Sequence, residues 1–186
     1  MDSHQGITVG LFGTCDNSKW REPFIKKYEE MGIKFFNPDI PDWMERLEAS
    51  RRGECENPTV EENYYLNNAE IILFPILSES LGSGSLGELG FSIKAVMRNI
   101  SNGKRQFLIG LIDDECTDMR KTDEERKRST KDRALVKSKF KESVCCPIIT
   151  LVETIDDMIQ MSLEVYNILA EGCPEEEQAK TGTNDK

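Results

Sequence analysis

An α/β three-layer sandwich, a mostly parallel sheet with helices on both faces, is the fold class this sequence predicts. Three observations predict it. Five short apolar runs rich in β-branched and aromatic residues recur along the chain, segments with helical spacing separate them, and the clearest run lacks polar alternation, as a strand covered on both sides should. Crossovers between parallel strands are almost always right-handed, which places the helices on both faces.

The strand-like runs are Ile7 to Phe12, Ile33 to Phe36, Ile71 to Leu77, Phe107 to Ile112 and Ile148 to Val152, and Ile71-Ile72-Leu73-Phe74 is an example without polar alternation. Helical spacing covers Trp20 to Met31, Thr59 to Asn68, Leu86 to Arg98, Thr130 to Glu142 and Ile155 to Ala170. The stretch from Cys116 to Arg133, dense in Lys, Arg, Asp and Glu, reads as a solvated excursion before or within the fourth helix. After Ala170 the apolar content lapses. One domain is therefore expected over residues 1–172, with 173–186 as a disordered polar tail.

A chain of 186 residues suits a single buried core. Its 34 acidic and 24 basic residues leave a net charge of −10, which argues against nucleic-acid polymers and anionic membranes as partners. A single nucleotide in a pocket is compatible with that charge. No apolar run approaches the roughly 18 to 20 residues of a membrane span, and the N-terminus lacks the layout of a signal peptide, so a soluble, cytoplasmic protein is expected. The six cysteines are scattered without a C-x-x-C pair, which points to reduced thiols. Cys145 and Cys146 would face opposite sides of a strand and so would not form a redox pair. His4, the only histidine, lies near the terminus, leaving a Ser–His pair, a Cys–His pair or a His-based zinc site hard to build. Carboxylate chemistry remains, with no metal or redox cofactor required.

In open α/β sheets ligands collect beyond the carboxyl ends of the strands, which directs attention to three loops. Gly13-Thr14-Cys15 opens the first, where small and hydroxyl residues let backbone N–H groups approach an anion or a sugar. The second, Asn37-Pro38-Asp39-Ile40-Pro41-Asp42-Trp43, is stiffened by two prolines and offers an aromatic face to a planar base. The third runs from Ser78 to Gly90. Its Ser83, Gly84 and Ser85 provide room and donors for a sugar or phosphate, and Glu88 is expected in the first helical turn, where the helix dipole would favour an ionised carboxylate. Gly82, Gly84 and Gly87 also match G-x-G-x-x-G formally. That fingerprint belongs after a first strand with an acidic residue about 20 positions on, where this chain has Lys104-Arg105-Gln106, so an NAD-dependent reading is poorly supported. No G-K-[ST] is present for a phosphate-binding P-loop.

These residues, taken in order, resemble the nucleoside 2-deoxyribosyltransferase-like family. The matching pieces are Gly13-Thr14-Cys15 with Trp20-Arg21-Glu22-Pro23-Phe24, Phe35-Phe36-Asn37-Pro38 with Pro41-Asp42-Trp43, Asn68-Ala69-Glu70, and Gly82-Ser83-Gly84-Ser85-Leu86-Gly87-Glu88-Leu89-Gly90-Phe91; Arg133-Ala134-Leu135-Val136 and Leu151 to Met158 follow. The resemblance implies a flavodoxin-like five-stranded parallel sheet of order 2-1-3-4-5 and a glutamate nucleophile at Glu88. It also implies sugar or 5′-phosphate contacts from Ser83, Gly84 and Ser85, and base or sugar contacts from Asn37, Asp42 and Trp43. A small-molecule nucleoside or nucleotide would be the partner and a homo-oligomer the assembly. The chain departs from the family's better-studied transferases in two places: they carry D-S-G-T where it reads Leu81-Gly82-Ser83-Gly84-Ser85, and Ala-Asp where it reads Ala69-Glu70.

The expected chemistry is cleavage or transfer at an N-glycosidic bond through a covalent intermediate on Glu88, with Asp42 or Asp39 protonating the departing base. The alternative from another class is a module that binds or senses a nucleotide without cleaving it, for which the altered loop speaks.

Overall fold

The protein is described by a computed structural model over residues 6–15, 18–40, 42–143 and 148–171. The expectations for His4, for Cys145 and Cys146 and for the 173–186 tail lie outside the described residues, as does Pro41 of the second loop.

The chain alternates strand and helix: β1 (Thr8–Leu11), α1 (Arg21–Met31), β2 (Lys34–Phe36), α2 (Trp43–Arg51), α3 (Pro58–Asn68), β3 (Ile71–Ile76), α4 (Ser83–Ser101), β4 (Phe107–Ile112), α5 (Asp123–Ser143), β5 (Ile149–Val152) and α6 (Ile155–Glu171). The five strands form one all-parallel sheet of order β2-β1-β3-β4-β5, consistent with the flavodoxin-like arrangement. Residues on the two faces feed two cores. Val9, Leu11, Ile71 and Leu73 pack with Trp20, just before α1, with Phe24 and Tyr28 of α1, and with Met158, Val165 and Leu169 of α6. Ile72, Phe74 and Ile76 pack on the other side with Leu66 of α3, Leu86, Leu89 and Val96 of α4, and Phe140 of α5. Adjacent side chains of β3 thus serve opposite cores, which is why the run Ile71 to Phe74 shows no polar alternation.

Pro75 is tolerated inside β3 because β1 has ended at Leu11 before reaching it. The missing N–H would have pointed toward that side, and the Pro75 carbonyl there accepts from the Thr14 N–H at 2.8 Å and the Thr14 hydroxyl at 3.1 Å. Order reverses at this seam: β2 lies on one side of β1 and β3 on the other. The gap beyond their carboxyl ends is the switch point at which such sheets hold ligands.

Local signals explain where the helices begin. Asn57 caps α3 by accepting from the Thr59 N–H, with Pro58 at the first helical position. Thr122 and Glu125 form a reciprocal cap at α5, Thr122 N–H donating to Glu125 Oε2 at 2.8 Å and Glu125 N–H to Thr122 Oγ1 at 3.3 Å. That cap starts α5 at Asp123, seven residues before the expected Thr130, and turns much of the charged stretch into helix. The stretch is not wholly solvated either, since Asp118, Ser129 and Arg133 are buried. Helix α2 replaces part of what the sequence suggests is loop, with Asp42 at its cap position and Trp43 as its first residue. Among the described residues, no helix is long and apolar enough to cross a membrane.

Candidate active site

The site begins with the turn after β1. Gly13 adopts φ +106°, and a Cβ there would lie 2.4 Å from the Pro75 carbonyl, so the loop needs glycine to pass over β3. Thr14 is buried; besides its two bonds to Pro75, its hydroxyl accepts from the Leu77 N–H at 3.0 Å. Thr14, expected at the substrate, has both its N–H and its hydroxyl engaged in stitching the β1 loop to β3. Cys15 is exposed at the rim of the site, and burial of the thiol's surroundings pushes its pKa up, against the opposing influence of Arg21. A raised thiol pKa does not suit a nucleophile.

Arg21 opens α1 and is 3% exposed. Its Nε donates to the Leu11 carbonyl at 3.0 Å and its Nη1 to the Thr14 carbonyl at 2.9 Å. The guanidinium lies 4.5 Å from the centre of the Trp20 ring, whose Nε1 also donates to Thr14 O at 2.7 Å. The free edge of the guanidinium reaches Cys15 Sγ and Asp39 Oδ2, each at 3.6 Å.

Two glutamates lie in the field of this cation. Glu62, on α3, is half-buried, and desolvation raises its pKa against the field of Arg21. Glu88, on α4, is half-buried as well; desolvation, followed by the charge of Glu62, pushes its pKa up to about 7, with Arg21 acting in the opposite sense. Two expectations are corrected here. Helix α4 starts at Ser83 rather than Leu86, which puts Glu88 in its second turn, and no acidic residue occupies the first. Burial beside a second carboxylate outweighs the helix dipole, so Glu88 is held half-protonated near neutrality rather than firmly ionised.

A groove of about 330 Å³ adjoins Glu62, walled by Phe35, Phe36, Trp43, Pro58 and Tyr65. Phe36 and Tyr65 stack with ring centroids 4.1 Å apart and an interplanar angle of 14°, giving the groove a flat, rigid aromatic side. Arg46 and Glu61 pair across its mouth at 3.9 Å. Asn37 lines the groove while its Oδ1 accepts from the Asp39 N–H at 3.0 Å, a turn that aims Asp39 toward Arg21. Asp42 is exposed at the start of α2. Ser83 and Gly84 are exposed in the first turn of α4, and Ser85 is half-buried behind them.

The loop leading into α4 is held from behind. Arg133, fully buried, donates to the carbonyls of Ile76 at 3.0 Å, Leu77 at 2.9 Å and Ser80 at 2.6 Å, while Ser129 Oγ donates to Leu81 O at 2.7 Å. Gly82 closes this loop at φ +63°, where a Cβ would lie 2.8 Å from Ile76 and 3.3 Å from the Arg133 guanidinium.

A family model described as nucleoside 2-deoxyribosyltransferase like matches residues 6–101. The chain belongs to that family. The matched segment runs from β1 through α4 and contains Cys15, Arg21, Asp39, Glu62 and Glu88. No match is found among curated proteins. Membership of a nucleoside 2-deoxyribosyltransferase-like family gives the carboxylate pair and the aromatic groove a common chemical context.

Sequence reasoning reached the three loops and Glu88 but missed Arg21 and Glu62 as members of the site. A signal existed for each. Arg21 is a cation in the first turn of a helix, where the dipole disfavours it, so some other partner had to hold it there. Glu62 stands three residues before Tyr65 and four before buried Leu66, which places a carboxylate beside the apolar face of α3.

Proposed function

We propose that the protein acts on the N-glycosidic bond of a (deoxy)nucleoside or nucleotide, with Glu88 as nucleophile. The observation that carries this reading is the pair Glu62 and Glu88, two carboxylates with raised pKa in the field of one buried guanidinium, with Glu62 lining a groove with stacked aromatic walls. Burial pushes both carboxyls up, Glu88 to about 7, so near neutrality the site offers Glu88 in its ionised form alongside a carboxyl that takes up a proton more readily than an exposed glutamate.

In the first displacement an ionised Glu88 oxygen forms a bond to the anomeric carbon. The C–N bond breaks, its electron pair leaves with the base, and a carboxylic acid delivers a proton to the base nitrogen. Glu62 suits that acid better than Asp42, because it lines the groove and desolvation raises its pKa, whereas Asp42 is exposed at the start of α2. In the second displacement water, or a second base, attacks the anomeric carbon and gives its proton back to the carboxylate that served as acid. Glu88 leaves as carboxylate, and the configuration is retained. The aromatic groove would take the base, and the exposed turn Ser83-Gly84 with Ser85 would take the sugar and any 5′-phosphate.

The same reading includes self-association. Val60, Tyr64 and Phe91 are 61%, 57% and 73% exposed on α3 and α4, the two helices that carry the carboxylates.

The test is chromatographic detection of free base from a panel of nucleosides and nucleoside monophosphates, with and without an acceptor base, for wild type, Glu88→Ala and Glu88→Gln. Release that disappears in both variants supports the mechanism, and dependence on acceptor separates transfer from hydrolysis. Near-normal release by the variants would overturn it. Tight nucleotide binding with no release across the panel would point to the binding module.

A further inference from the structure

We propose that a cavity at the amino ends of the strands, lined by Lys34, Lys104 and Arg105, is a binding site for a small organic phosphate. It is distinct from the site around Glu62 and Glu88 and does not depend on the N-glycosidic reading.

The fold gathers these three cations from distant parts of the sequence. Lys34 is the first residue of β2, and its register partner is Thr8, the first residue of β1. Lys104 and Arg105 lie in the turn between α4 and β4, just before the Phe107 N–H donates to the Glu70 carbonyl at 2.7 Å. All line one cavity of about 350 Å³, together with Tyr64 and Tyr65 of α3. That volume is within the range of small-molecule sites.

The charge of this cavity runs against that of the protein. The chain carries a net −10, yet three cations line the cavity against one carboxylate, Glu70. That carboxylate is already engaged, its Oε2 accepting from the Thr8 N–H at 2.8 Å. The negative end of the α3 dipole accounts for one cation: Lys104 Nζ donates at 3.2 Å to Oδ1 of Asn68, the last residue of that helix. Among the described residues, the Lys34 and Arg105 side chains make neither an ion pair nor a hydrogen bond. Their donors are free for an anion.

A phosphate monoester suits this arrangement better than a carboxylate. It carries close to two negative charges and three terminal acceptor oxygens, so it can meet donors arriving from β2 and from the α4–β4 turn together. The Arg105 fork can take two oxygens, while the lysines act as point charges. Tyr64 and Tyr65, edge to face with centroids 5.3 Å apart, add aromatic surface for the organic part of the ligand. Tyr65 also lines the groove beside Glu62, but the two cavities have no charged residue in common. The cations can therefore be changed without altering the lining of the groove.

The test titrates the full chain with pyrophosphate, adenosine monophosphate, adenosine and citrate by calorimetry, with backbone amide shifts locating each ligand by NMR. Pyrophosphate and the monophosphate are expected to saturate with Kd below about 1 mM and to move the amides of Thr8, Lys34, Asn68 and Arg105. Adenosine should leave those amides unmoved. Lys34→Gln and Arg105→Gln should each raise Kd about tenfold, and added salt should weaken binding. Both residues are exposed, so the variants should keep the wild-type Tm; should either fail to fold, Lys104→Gln reads the same loss.

No saturation below about 10 mM would overturn the proposal. So would binding that the substitutions leave unchanged, or amide shifts confined to Ser83, Gly84 and Ser85, which would place the anion at the start of α4. Citrate binding as tightly as pyrophosphate would overturn the assignment to phosphate. Pyrophosphate binding without the monophosphate would restrict the site to the inorganic ion and overturn the organic part.

Discussion

Arg133 Nη2 donates to the Ser80 carbonyl at 2.6 Å, tying α5 to the loop from which α4 starts. The same side chain holds Ile76 and Leu77, so the backbone between β3 and the Glu88 helix depends on one buried cation. Replacing it with methionine would leave these buried carbonyls without their donor. Arg133→Met is expected to cost about 3 kcal/mol or more, lowering Tm by about 10 °C. Thermal unfolding followed by circular dichroism checks this, and a change of under 1 kcal/mol would mean that water replaces the arginine.

Glu88 links stability to pH with a definite sign. Its folded pKa of about 7 lies above the ordinary value of 4.5, so the native state binds the proton more tightly than the unfolded chain. The favourable contribution is complete below about pH 4.5 and is lost as pH rises through 7. Glu88→Gln should abolish that loss, leaving the variant more stable than wild type at pH 8 by on the order of 2 kcal/mol. Urea unfolding at pH 5 and pH 8 measures the difference.

Activity should run the other way. A nucleophile must be ionised, so kcat/KM is expected to rise as pH passes through about 7. The pH profile of base release tests this, and Glu62→Gln should shift the rising limb to lower pH by removing the charge that disfavours Glu88 ionisation. A rising limb near pH 4 in wild type would contradict the half-protonated state.

Gly13→Ala probes the turn after β1. The φ of +106° and the 2.4 Å approach to the Pro75 carbonyl leave no room for a methyl group. The expected cost is about 2 to 4 kcal/mol, with loss of the site as the Thr14 bonds to β3 are strained. Denaturant titration gives the cost directly.

Self-association through α3 and α4 predicts a concentration-dependent mass above 21.2 kDa in sedimentation. Phe91→Glu, at a residue 73% exposed, should return the protein to the monomer without lowering Tm by more than about 2 °C. A wild-type monomer at all concentrations would remove this face from consideration.

The sheet was legible because strand burial writes itself into the sequence: the described strands lie within the five apolar runs, and the observed order is the one the family resemblance implied. Helix α2 was hidden by its composition. Its nine residues include no buried one, and two prolines precede it, so neither an apolar stripe nor an ordinary cap announced it. Glu88 could be found from its glycine-serine surroundings, but its protonation could not. That property depends on Glu62 and Arg21, which lie 26 and 67 residues away and meet it only once the helices pack. Thr14 shows the same limit from the other side. Nothing in the sequence of that loop says that the Thr14 N–H and hydroxyl have Pro75 and Leu77 as partners.

The arginine clamp on the loop before α4 bears on how the chain can be divided. The family match ends at Ser101, yet Ser129 and Arg133, which hold Leu81, Ser80 and their neighbours, lie beyond it. The segment that carries Glu62 and Glu88 is thus not self-sufficient. Cut at the end of α4, it would keep Glu88 and lose what fixes the approach to it. Fragment complementation, domain grafting or circular permutation of this protein must keep the second half of the chain with the first.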